Sequence, residues 1–328
     1  MYTTYVGSFP LDYNRENIER IMRDVSTISI DYPCYPQLMD FVAQFLEPLV
    51  KANILVKRPW GYLLISEVKV SVDVSDAERQ ALIAVDYVKA SGLSKYFKGL
   101  RACVTGPFTL ASRIYLKEPP SPSNTLLAQL EYLEPLVNYL RRIIRDFLDM
   151  GYKYINVDDP YLSVMVGARA ILHGCSPDDI MDLLDKLARS IPSISGIHVC
   201  GRISPHLAEL LVQSYFSILD HEFVDSPANF NSYTRDMLED YDKFLGVGVV
   251  SSKFAAVEDL SKTISILERA IRRYGLERVR MVKPDCGFRG LRGAQRTVEL
   301  AYSIALRKLK VVKEARDIIA SKYGLEVE

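Results

Sequence analysis

YINVDDP, residues 154–160, is a short apolar run that ends in two acids, and it stands between two segments of helical period. Leu126 to Met150 before it repeats apolar residues at spacings of three and four, which marks a helix with one buried face. After it, Ser176 and Pro177 open another helix, since a hydroxyl caps free amide groups and proline is preorganised for the first helical position. Helix, strand and helix in succession specify parallel strands joined by crossovers.

Working outward, seven more such runs recur: TTYVGS (3–8), YLLISEV (62–68), ACVTGP (102–107), IHVC (197–200), SILDHE (217–222), LGVGVV (245–250) and VRMVKP (279–284). Most precede a helix-period segment, and Gly293 to Tyr323 carries a long amphipathic pattern. Eight strands alternating with helices predict an α/β fold of the (β/α)8 TIM barrel type, as a single domain over residues 1–328. Ile54 to Val72 reads as a hairpin, so a β-hairpin excursion near 54–72 is expected, with one arm outside the barrel. Lys117 to Asn124, KEPPSPSN, is punctuated by Pro and Ser and reads as an exposed connection after the third strand.

Composition narrows the function. The chain has 41 acidic and 41 basic residues, and no basic run or basic stripe interleaved with aromatics, so neither nucleic acid nor an anionic membrane is expected as a partner. No stretch reaches the roughly 18 apolar residues of a membrane span and the N-terminus lacks a signal pattern, which makes a cytoplasmic location the expectation. Five scattered cysteines fit individual roles in a reduced compartment better than a disulfide framework. Cys34, Cys103 and Cys175 read as structural.

In this fold the active site is assembled from strand ends at the C-terminal mouth. His198 and Cys200 are two apart on one strand and project together, Glu222 ends another, and Cys286 ends a third in a Pro-Asp-Cys-Gly turn. Imidazole, carboxylate and two thiolates suit zinc, with the carboxylate the exchangeable ligand. A lone His-x-Cys is more often core packing; the coincidence of three strand ends favours the metal.

TTYVGSFP, VTGPFTL, INVDDP, HVCG and KPDCGF, in this order and spacing, resemble the motifs of the cobalamin-independent methionine synthase family, in particular its catalytic C-terminal barrel and the short archaeal core form. The resemblance spans nearly the whole chain. It implies zinc-dependent methyl transfer to the thiol of homocysteine, with His198, Cys200, Glu222 and Cys286 as ligands and Glu222 yielding as sulfur arrives. It further implies Ser8 and Asp158 as contacts to the amino acid, and Glu67 as the second-strand candidate near its amine. Asp158 and Glu222 are thus the candidate catalytic residues.

Departures accompany these matches. The folate-dependent enzymes carry a Trp that packs on the pterin and an Asp-x-His segment at strand seven; here Arg113, Ser251 and Lys253 stand in those places. A methylated corrinoid or corrinoid protein is therefore the expected donor, since cob(I)alamin leaves without protonation. Alkyl transfer to another thiol such as coenzyme M, and a non-catalytic zinc-binding barrel, are the competing readings; a metal-dependent hydrolase would favour His and carboxylate ligands. His173, His206 and His221 remain over, and His221 should face away from Glu222, in packing or behind the site.

Overall fold

The computed structural model describes residues 1–325. Its strands are β1 (Tyr2–Thr3), β2 (Leu55–Arg58), β3 (Gly61–Leu64), β4 (Arg101–Thr105), β5 (Ile114–Tyr115), β6 (Tyr154–Asp158), β7 (Ile194–Val199), β8 (Ile218–His221), β9 (Phe244–Val250) and β10 (Val279–Pro284). Seven of them form one parallel sheet in the order β1-β10-β9-β8-β7-β6-β4, with helices following the strands. Consecutive neighbours from β6 to β10 are what right-handed βα crossovers produce. This is an α/β fold built on a curled, open parallel sheet.

The expected second strand is the correction. Residues 62–68 do not join the large sheet: Tyr62 to Leu64 lie in β3, which pairs with β2 and β5 in a separate three-stranded sheet. The hairpin excursion is therefore present, and both of its arms are outside. Between the edge strands β1 and β4 runs instead the segment Tyr32–Cys34, in isolated parallel bridges of Thr4 with Tyr32 and Cys34 with Arg101. Tyr32 N–H donates to the Thr3 carbonyl at 3.0 Å, and Arg101 N–H to the Pro33 carbonyl at 2.9 Å. Pro33 and Pro36 remove amide donors from this stretch, so it bridges at points and builds no regular ladder.

The helices obey their local signals. Leu133–Met150 buries Leu136, Val137, Leu140, Ile143, Ile144 and Phe147 and ends at Gly151, whose φ of 103° is a left-handed conformation open to glycine. Ser176 and Asp179 close a capping box around Pro177. Val298–Lys322 starts at the Thr297 cap, a few residues inside the predicted span. Among the described residues no helix is long and apolar enough to cross a membrane.

Inside the curl, Tyr154, Ile218 and Met281 form a small apolar plug with Tyr2, Tyr32, Ile194 and Phe244. Arg101 lies over the Tyr154 ring, 4.9 Å from its centroid, and begins a charged layer above the plug. Room for that layer comes from Gly196, where a Cβ would sit 2.4 Å from Asn156 Oδ1 and 2.7 Å from the Tyr154 hydroxyl. Gly196→Ala is expected to cost about 1–3 kcal/mol through overpacking, read as a lower midpoint in chemical denaturation with an unchanged slope.

Candidate metal centre

His198 Nε2 lies 3.0 Å from Cys200 Sγ, and Cys200 Sγ lies 3.1 Å from Cys286 Sγ. One donor atom from each of these three residues falls within 4.8 Å of the others, a spacing that fits a tetrahedral cation. His198 is in β7, Cys200 just past it, and Cys286 two residues beyond β10, so the strand-end geometry brings them together across the sheet. Glu222 borders the same cleft of about 650 Å³ as Cys200 and Cys286. Its carboxylate, however, is turned to Lys253 Nζ and Ser226 Oγ, both at 3.1 Å.

Beneath the donors sits Asp220, fully buried on β8. Its Oδ1 is 2.8 Å from His198 Nδ1, which leaves Nε2 of that imidazole for a metal. Lys283 Nζ is 2.6 Å from the same carboxylate, and Arg101 Nη2 is 3.2 Å from its other oxygen. Lys283 also donates to the Pro284 and Asp285 carbonyls, at 3.0 and 2.8 Å, and so holds the turn that presents Cys286. Asp285 in turn accepts the amides of Phe223, Val224 and Asp225, fixing the turn after Glu222. One network thus positions His198 and the turns that carry Cys286 and Glu222.

Ionisation follows the network. Burial disfavours the Asp220 charge, yet Lys283, His198 and Arg101 outweigh it and hold the carboxyl far below its ordinary range. For His198 burial works downward and Asp220 upward, and the carboxylate wins, raising it to about 10 in the metal-free centre. The hydrogen bonds from Cys200 and His198 draw the Cys286 thiol well below its usual value. A low thiol pKa suits a metal ligand.

Of the remaining predicted residues, Asp158 is paired in register with His198 on the neighbouring strand; it accepts from Asn156 Nδ2 at 2.6 Å and lies 4.0 Å from Arg101. Asp159 faces the other way and accepts the amides of Phe108 and Thr109. Ser8 rests on the Cys286–Gly287 turn: its carbonyl accepts Phe288 N–H at 2.7 Å, and a Cβ on Gly287 would come 1.9 Å from its hydroxyl. Glu67 is not brought to this place. It is exposed beyond β3 and lines a separate depression with Lys117 and Asn124. His221 is buried behind the site, bonded to the Val199 carbonyl and the Tyr233 hydroxyl. Asp220, Lys283 and Arg101 went without a role in the sequence, although Asp220 shares the face of Glu222 by alternation.

Residues 11–308 match the family described as cobalamin-independent synthase, catalytic domain. The chain belongs to this family. Its sequence is similar to a methionine synthase of Methanocaldococcus jannaschii, 22% identical over 352 aligned positions that cover 97% of this chain and 99% of that protein. Among solved structures it resembles a B12-independent methionine synthase from Shewanella sp. W3-18-1 in complex with selenomethionine, with a TM-score of 0.70, 13% identity and 99% of each chain covered. A putative vitamin-B12 independent methionine synthase from Listeria monocytogenes follows at 0.66, with 17% identity over 97% and 98% of the two chains. A methyltransferase from Methanosarcina mazei reaches 0.58, with 17% identity over 93% and 86%. At these identities the structures speak for the fold, while family membership carries methyl-transfer chemistry on small-molecule substrates.

Replacing Asp220 by Asn removes the anion closest to the buried Lys283 and Arg101, and should cost about 3–5 kcal/mol. The Asp220 pKa is depressed, so its contribution is present above the unfolded value of about 3.9 and is lost as pH falls through the folded one. His198 is raised to about 10, so its contribution is complete below the unfolded value of about 6.5 and fades as pH rises toward 10. Denaturation of metal-free wild type and Asp220→Asn should therefore differ most between about pH 4 and 6.5.

Proposed function

We propose that this protein is a zinc-dependent methyltransferase that methylates the thiol of homocysteine to give methionine, with a methylated corrinoid or corrinoid protein as donor. The observation that carries the reading is the convergence of His198, Cys200 and Cys286, braced through Asp220, at the rim of an open cleft. The donor chemistry fits zinc: two sulfurs and one imidazole with an oriented tautomer, beside a carboxylate. Zinc held there supplies a Lewis acid that lowers the pKa of an incoming thiol from its usual value of about 8.5.

The residues of the chain supply the rest. Asp158, beside His198, would receive the α-ammonium of the acceptor, and Ser8 on the Cys286–Gly287 turn would receive its carboxylate. A second cleft of about 450 Å³, lined by Trp60, Arg113 and Tyr161, shares Pro160 and Val164 with the first and gives the donor its approach. At the end of β9, Lys253 presents an ammonium engaged with Glu222, a weak proton donor near neutrality. This supports a donor whose leaving group departs without protonation. We take residues 1–328 as a single barrel domain in which the bridged segment Tyr32–Cys34 fills the eighth position between β1 and β4.

Purified protein should contain stoichiometric zinc and form methionine from homocysteine and methylcobalamin, but not from methyltetrahydrofolate. Zinc without methionine from either donor would move the acceptor to another thiol; absence of zinc would defeat the reading. Cys200→Ser and Cys286→Ser should each lose the metal while keeping the circular dichroism of the wild type, because the core packs independently of it. Asp158→Asn should weaken homocysteine binding in calorimetry by roughly tenfold or more, about the size of one charge-assisted contact, and leave zinc content unchanged.

A further inference from the structure

We infer that Lys253 is a positioning residue that holds Glu222 away from the three convergent donors, so that the fourth place at the metal is kept for the acceptor thiol. This rests on the zinc reading above and concerns how that centre is tuned.

The Glu222 side chain is 2% exposed, and a carboxylate so enclosed needs a partner. It has Lys253 Nζ and Ser226 Oγ, both on Oε2, and it lies outside the set of mutually close donors. Lys253 itself is 56% exposed, but its backbone is tightly set. Ser251 Oγ accepts the amides of Lys253 and Phe254, at 3.1 and 3.2 Å, and Ser252 N–H donates to Asp225 Oδ2 at 3.2 Å. Asp225 belongs to the turn after Glu222, so the two strand-end loops are laced together with the ammonium aimed at the carboxylate.

Without the ammonium, the enclosed carboxylate would keep the Ser226 hydroxyl and have a dication as the strongest remaining partner in its cleft. Glu222 would then turn onto the metal and compete with the thiol. The residue that stands in place of an imidazole at strand seven thereby acquires a function of its own.

Zinc affinity by competition with a chromophoric chelator, and homocysteine affinity from the sulfur-to-metal absorption of cobalt(II)-substituted protein, test this without turnover. Lys253→Met should bind zinc about tenfold more tightly and homocysteine about tenfold more weakly, the scale on which groups behind a metal site act. Lys253→Arg should stay near the wild type. Adding Glu222→Gln to Lys253→Met should return zinc affinity toward the wild-type value. Unchanged affinities in Lys253→Met, or shifts that persist after Glu222→Gln, would overturn the inference while leaving the zinc centre intact. A wild-type protein without stoichiometric zinc would overturn the zinc reading first.

Discussion

Asp220 is the constraint on which the rest of the interior depends. A carboxylate removed from water costs several kcal/mol unless it is paired and fully hydrogen-bonded. Here it meets Lys283, Arg101 and the His198 ring at 2.6 to 3.2 Å. With the imidazole neutral, as it would be when ligating a metal, the buried charges of Arg101 and Lys283 are balanced by those of Asp220 and Asp158. That balance makes a polar layer tolerable in the middle of a packed sheet. It also exacts geometric precision, since a displacement of any member leaves an unpaired charge.

The layer is organised outward from this point. Lys283 spends its other hydrogens on the carbonyls of Pro284 and Asp285, so the ion pair within the sheet reaches the turn of Cys286. Asp285 carries the linkage to the amides after Glu222, and Asp225 in that turn accepts from Ser252 beyond β9. Three loops that are distant in sequence are thereby fastened to strands, which is the rigidity a preorganised metal centre requires.

How much of this was legible depended on periodicity. The strands that carry the site, β4 and β6 through β10, were readable because each is a short apolar run followed by a helix, and their polar ends supplied His198, Cys200, Glu222 and Cys286. IDYPCYPQ, residues 30–37, gives no strand signal because it has neither alternation nor a full set of amide donors, whereas YLLISEV has the composition of a strand and yet builds the outer hairpin. Asp220, Lys283 and Arg101 were hidden for a different reason. A charged residue within a strand run signals burial only when its partners are known, and these partners lie 63 and 119 residues away from Asp220. Glycines were equally silent: Gly196 and Gly248 look like weak strand residues, yet they vacate space for Asn156 and Asp285.

In the proposed zinc centre, Lys253 is tied to the metal through charge. A dication facing two thiolates and a neutral imidazole is neutral overall, so one further anion is readily held and a second is opposed in a cleft of low polarity. With zinc bound as proposed, Glu222 and an acceptor thiolate would thus be rivals for one place. An acid that yields that place must set its charge down nearby, or pay desolvation in a site where it is 2% exposed. The ammonium of Lys253 is the partner for that charge, while its own half-exposed position leaves it hydrated and inexpensive to keep. An imidazole at the same position, neutral for much of the physiological range, would hold the carboxylate less firmly but could pass on a proton. On the proposed zinc reading, an ammonium in place of an imidazole would trade proton delivery for electrostatic control of the fourth ligand, and such a trade is coherent where the methyl donor already carries a good leaving group.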